Sequence, residues 1–103
     1  MKGVKVEYTV KKEFVATNQA NIQKVMDELK AQNNPKVKYS SFMRSDGQSF
    51  VHLAFTADEE SSSVIPGLEA FKHFQTELKQ NLEVSPKQEP LELVGSNFEY
   101  FGA

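Results

Sequence analysis

The sequence predicts an α+β domain: an antiparallel sheet with two helices packed on one of its faces. Three observations predict it. The apolar pattern changes period in the order strand, helix, strand, strand, helix, strand. An Asp46-Gly47 pair between two strand-like runs marks a tight hairpin in the middle of the chain. Each predicted helix carries a single apolar stripe, so each has one face to bury. This order is the split β-α-β, or ferredoxin-like, arrangement, and right-handed crossovers make its first and third strands central neighbours. The 103 residues suit one domain over 1–103.

Val4, Val6, Tyr8 and Val10 alternate with Lys5, Glu7, Thr9 and Lys11, which predicts a half-buried first strand. Thr17 or Asn18 is the expected N-cap of the first helix. Ile22, Val25, Met26 and Leu29 form its apolar stripe, and Pro35 bars its continuation. Asp46-Gly47 pairs Met43 with Phe50, Ser41 with His52 and Tyr39 with Ala54. Residues 61–67 are expected to be loop with at most one helical turn. A second helix is expected from Leu68 to Leu82, with Leu68, Phe71, Phe74, Gln75, Leu78 and Leu82 on one side. "EVSPKQEP" has the composition of a linker. "LELVGSNFEYF" is expected to supply the last strand and an aromatic tail.

The third strand, "SFVHLAFT", is apolar on both sides, with Val51, Leu53 and Phe55 alternating with Phe50, His52 and Ala54. The more apolar set, Val51, Leu53 and Phe55, is expected to meet the helices beside Val6, Tyr8 and Val10. Glu7, Thr9, Val37, Tyr39, Ser41, Met43, Phe50 and His52 then fall on the open face. That mixture suits a cleft closed by a second copy of the chain. His52 is the expected acid–base residue, since a free imidazole titrates near neutral pH. Glu7 is expected to orient it, and Thr9, Tyr39, Ser41, Met43 and Phe50 to line the cleft. As bland alternatives, His52 is a hydrogen-bonded interface histidine and Tyr39 an amphipathic interface aromatic. Gln75 suits a rim, His73 falls opposite the apolar stripe, and Asp58-Glu59-Glu60 suits a solvated loop.

The formal net charge of −2 gives no bulk attraction for nucleic acid or an anionic membrane surface. RNA-recognition domains share the topology. Here, however, Asp46 and Gln48 stand where a basic residue and an aromatic belong, and strand one offers Lys, Glu and Thr for stacking. Two histidines and no cysteine make no zinc spacing, so no metal is expected, and no nucleotide fingerprint suggests a cofactor. The alternating N-terminus suits neither a signal peptide nor a membrane span, and a cytoplasmic location is expected.

The stretches "VMDELKAQ", "KYSSFMRSDGQSFVHLAF", "LEAFKHFQTELKQ" and "LELVGSNFEYF" resemble the dimeric α/β-barrel superfamily, in its antibiotic-biosynthesis monooxygenase-like branch. The likeness is to short, uncharacterised bacterial members and spans nearly the whole chain. It implies a homodimer with two sheets face to face, forming a dimeric α/β barrel. It also implies either cofactor-independent oxidation of a small, partly aromatic molecule or a non-catalytic, ligand-binding or structural module. The Trp, Asn and Arg associated with the oxygenase branch have no full counterpart: tryptophan is absent and Arg44 is the sole arginine. The haem-degrading branch uses a strand-one asparagine, and strand one here has none.

Overall fold

The computed structural model describes residues 1–102. The strands are β1 (Lys2–Val10), β2 (Val37–Met43), β3 (Ser49–Thr56) and β4 (Leu82–Leu91). The helices are α1 (Val15–Gln32), the single turn α2 (Val64–Gly67) and α3 (Glu69–Lys79), with 3-10 turns at Lys12–Phe14 and Glu60–Ser63. The strands form one antiparallel sheet in the order β2-β3-β1-β4. The expected α+β, ferredoxin-like order is thus present, with β1 and β3 central.

Helix α1 starts earlier than the capping residues suggested, because the Lys12–Phe14 turn leads directly into it. Asn18 therefore sits a turn inside the helix and is fully buried rather than capping it. Asn33 ends the helix in the left-handed region (φ 50°), its N–H reaching the Leu29 and Lys30 carbonyls. The hairpin register agrees with expectation: Met43 pairs with Phe50, Ser41 with His52 and Tyr39 with Ala54. Gly47 takes the positive φ of 73° that its turn requires.

Three expectations fail at the C-terminal end. Helix α3 stops at Lys79, and the stretch expected to be a linker is β4 itself. Pro86 and Pro90 are tolerated because β4 is an edge strand, where every second N–H points away from the neighbouring strand. Of the expected last strand only Leu91 belongs to β4. The residues after it fold back instead, and Tyr100 packs on Phe55 with ring centroids 4.8 Å apart.

The face assignment of β3 is also corrected. Facing residues on paired strands share a side of the sheet. Val6 faces His52 and Tyr8 faces Phe50, whereas Glu7 faces Val51 and Lys5 faces Leu53. The amphipathic strand β1 turns Tyr8 and Val10 into the core with Phe14, Val25, Phe50, Leu68, Phe74 and Leu78. Phe50 and His52 therefore lie beneath the helices, and Val51, Leu53 and Phe55 lie on the open face. Hydrophobicity could not choose between the two sides of β3, because both are apolar; the pairing with β1 does.

Gly3 sits on this open face with no room for a side chain. A Cβ there would come within 2.7 Å of Phe55 Cε1 and 3.0 Å of the Leu91 carbonyl oxygen. Gly3→Ala should lower unfolding stability by roughly 1–3 kcal/mol, measured by urea denaturation. An unchanged midpoint would show that the Phe55 ring moves aside freely.

Candidate functional site

The β1–β3 pairing brings a polar cluster under the helices. His52 is 4% exposed and both of its ring nitrogens have partners. Nε2 lies 2.8 Å from the Tyr8 hydroxyl and Nδ1 lies 2.7 Å from the Tyr39 hydroxyl. Ser41 Oγ stands further off, 3.4 Å from Nε2. From α1, Asn18 Nδ2 donates to the Tyr8 oxygen at 2.9 Å, while Asn18 Oδ1 is buried without a partner. Phe74 of α3 covers the cluster, its ring centroid 5.6 Å from that of His52.

Burial among these rings sets the ionisation. Removing water disfavours the charged imidazolium, so the His52 pKa falls to about 4. The same desolvation pushes the Tyr8 and Tyr39 hydroxyls upward. At neutral pH the cluster is therefore a chain of uncharged hydrogen-bonding groups.

Beside it lies a cavity of about 430 Å³ between the helix-facing side of the sheet and α2–α3. Val4, Val6, Ile65, Phe71 and Leu78 make most of its wall apolar, and Tyr8, Tyr39, His52 and Gln75 are among the residues that complete it. Exposed Lys2, Pro86 and Gln88 border it on the β4 side. A largely apolar cavity with a few convergent polar groups is the usual form of a small-molecule site.

The structure brings together only part of the site expected from the sequence. His52 and Tyr39 border the cavity, Ser41 adjoins His52, and Phe50 lies buried beneath the cluster. Glu7 and Thr9 do not join them, because they are on the opposite face of the sheet. Glu7 contacts Arg44 there at 3.3 Å, and Thr9 shares a hydrogen bond with Ser49. Glu7 therefore cannot orient the imidazole; the two tyrosines do. Met43 is exposed at the end of β2. His73 pairs along α3 with Glu77, which also accepts from Asn21 of α1, and Asp58 pairs with Lys36 on the surface. Among the described residues no group of three or more His, Cys, Asp or Glu could hold a metal ion, and no helix is long and apolar enough to cross a membrane.

Tyr8 and Asn18 were not expected in the site. Tyr8 was expected only as one of four apolar-side residues of β1. For Asn18 a signal existed: Asn18, Ile22, Val25 and Leu29 share one helical stripe, so this amide, like the buried Asn21, stands on the face that packs inward.

No protein-family profile matches this sequence, and no curated protein does. Solved structures do match its shape. A protein described as a candidate antibiotic biosynthesis monooxygenase from Bacteroides thetaiotaomicron superposes with a TM-score of 0.81 at 10% identity, covering 95% of this chain and 93% of that one. A second protein so described, from Caulobacter crescentus, gives 0.76 at 19% identity, over 91% and 90% of the two chains. SnoaB, a cofactor-independent oxygenase from Streptomyces nogalater, gives 0.71 at 14% identity, over 95% and 97%. The chain has the antibiotic biosynthesis monooxygenase fold. At these identities the shared property is the fold.

A free imidazole titrates near 6.5 and this one near 4. Between those values the folded state binds fewer protons than the unfolded state, so stability rises with pH. The contribution is full above about pH 6.5 and is lost as pH falls toward 4, amounting to roughly 3 kcal/mol. Urea denaturation at pH 7.5 and pH 4.5 should show this loss in the native sequence and a smaller one in His52→Gln. Equal pH dependence in the two proteins would show that His52 is not held neutral.

Proposed function

We propose that the protein is a cofactor-independent monooxygenase-like enzyme that takes a small, partly aromatic molecule into the cavity beside His52. One observation carries this reading: buried, hydrogen-bonded His52 and Tyr39 border a cavity whose walls are mostly apolar and aromatic. Such walls desolvate a flat apolar ligand, and the few polar atoms fix its orientation. The cleft lies within one chain, between sheet and helices, rather than between two sheet faces. The oxygenase activity of SnoaB supports the reaction class by analogy of fold. Oxygen uptake with electron-rich hydroxynaphthalenes and anthrones tests it. His52→Ala should lower kcat/KM on the order of 100-fold while leaving the fold intact. Native-like turnover in that variant would remove His52 from the reaction.

A specific observation favours a second reading, a non-catalytic ligand-binding module. Both nitrogens of His52 are already hydrogen-bonded and the ring is neutral, so it has no free lone pair for a substrate proton. On this reading aromatic ligands bind without oxygen consumption.

The same proposal includes a homodimer joined through the open sheet face. Phe42 is 54% exposed there, and Val51, Leu53 and Phe55 stand beside it. Light scattering at micromolar concentration should give twice the chain mass. Leu53→Glu should weaken the dimer by on the order of 100-fold by burying a charge in its interface. A monomeric mass for the native sequence would overturn the dimer.

A further inference from the structure

We infer that Asn18, acting through Tyr8, holds His52 in its Nδ1–H tautomer, so that Tyr39 offers its hydroxyl proton to the cavity and the site selects a ligand carrying a hydrogen-bond-accepting oxygen. The ligand part rests on the reading of the cavity as a small-molecule site.

Proton counting along the chain of contacts gives the result. An amide nitrogen only donates, so the Tyr8 oxygen accepts from Asn18 Nδ2. Tyr8 has one proton, and its other close partner is His52 Nε2 at 2.8 Å. The reverse, an Nε2–H donating to the same oxygen, would leave the proton of the buried Tyr8 hydroxyl without a partner, so the relay takes Nε2 as the acceptor, carrying no hydrogen. Ser41 Oγ, near the same nitrogen, also has a proton to direct at it. A neutral imidazole then carries its hydrogen on Nδ1, which donates to the Tyr39 oxygen at 2.7 Å. The Tyr39 proton is left over. Among the described residues the Tyr39 hydroxyl makes no second hydrogen bond, and Tyr39 borders the cavity. Reversing the Asn18 amide would leave both of its N–H bonds orphaned, and protein interiors tolerate an underused carbonyl oxygen better than an orphaned N–H.

Asn18 is thus a positioning residue that sets the direction of the relay. Tyr39 is the group that meets the ligand. The site so arranged is a donor: it favours an aryl ketone or aldehyde oxygen over a ligand offering only a donor hydrogen.

Long-range ¹⁵N–¹H correlation on the free protein at neutral pH reads the tautomer directly. The expected spectrum shows His52 protonated at Nδ1, against the Nε2–H form common for exposed histidines. An Nε2–H or doubly protonated ring would overturn the relay. Asn18→Leu should shift the ring toward Nε2–H, and a variant that still folds yet keeps the Nδ1–H signal would show that Asn18 does not set the direction. For the ligand, 2-acetylnaphthalene and naphthalene are titrated as a pair. Tyr39→Phe should weaken the ketone by about 3- to 10-fold and leave naphthalene unchanged. An equal effect on both would overturn the donor role of Tyr39. Should neither compound bind, the ligand site and the selectivity inferred for it both fail, while the tautomer stands or falls on the spectrum.

Discussion

The register between β1 and β3 is the constraint on which the rest depends. Strand side chains alternate with a period of two, so a slip of one residue would exchange every residue of β3 between faces. The observed pairing sets Val6 against His52 and Tyr8 against Phe50. It thereby delivers a histidine and a tyrosine to the space beneath the helices. β1 fixes the choice, because Lys5 and Glu7 alternate with Val6 and Tyr8 and burying that charged side would be expensive. A strongly amphipathic strand thus dictates how its two-sided neighbour is presented.

The cluster this register builds is expensive for a small core. Asn18 Oδ1 is buried with no partner, a loss of the order of 1–3 kcal/mol. An apolar residue there would avoid that loss but would leave the Tyr8 oxygen without its donor. The neutral imidazole would then have no reason to prefer one tautomer. Polar interiors of this kind are worthwhile where direction matters, since a satisfied chain of hydrogen bonds has a sense as well as a strength. Aromatic rings pack against the cluster, with the Tyr8 and Phe74 ring centroids 5.3 and 5.6 Å from that of His52.

Much of the fold was legible because its signals are local. The Asp46-Gly47 turn, the amphipathic β1 and the stripes of α1 and α3 each report on neighbours within a few residues. The hairpin register followed from the turn alone. β4 was hidden by its prolines, which mark a linker by composition but are compatible with an edge strand, and edge status is a property of the assembled sheet. The site was legible only in part. His52, Tyr39 and Ser41 share a side through the hairpin, as expected, but that side lies beneath the helices and not on the open face to which the sequence reading assigns it. Glu7 was placed with them because the orientation of β3 against β1 is a long-range fact. Asn18 suits a cap by residue type, because Asn is common there, but its place on the inward-facing stripe of α1 points the other way.

The two-sided character of β3 follows from the same geometry. One of its faces is closed by α1 and α3, which explains Phe50 and the tolerance of a buried His52. The other face has no helix, yet Val51, Leu53 and Phe55 are as apolar as a core strand. The chain covers part of it by folding back after β4, setting Tyr100 on Phe55 and Phe98 against Tyr100 at a ring separation of 4.6 Å. That cover reaches the Phe55 end of the strand, while Phe42, paired with Val51 toward the other end, remains more than half exposed. An exposed Phe42 beside the apolar row of β3 is what a second sheet would bury. Dimerisation and ligand binding would then use opposite faces of one strand, and changes on the open face could alter assembly while leaving the hydrogen bonds around His52 in place.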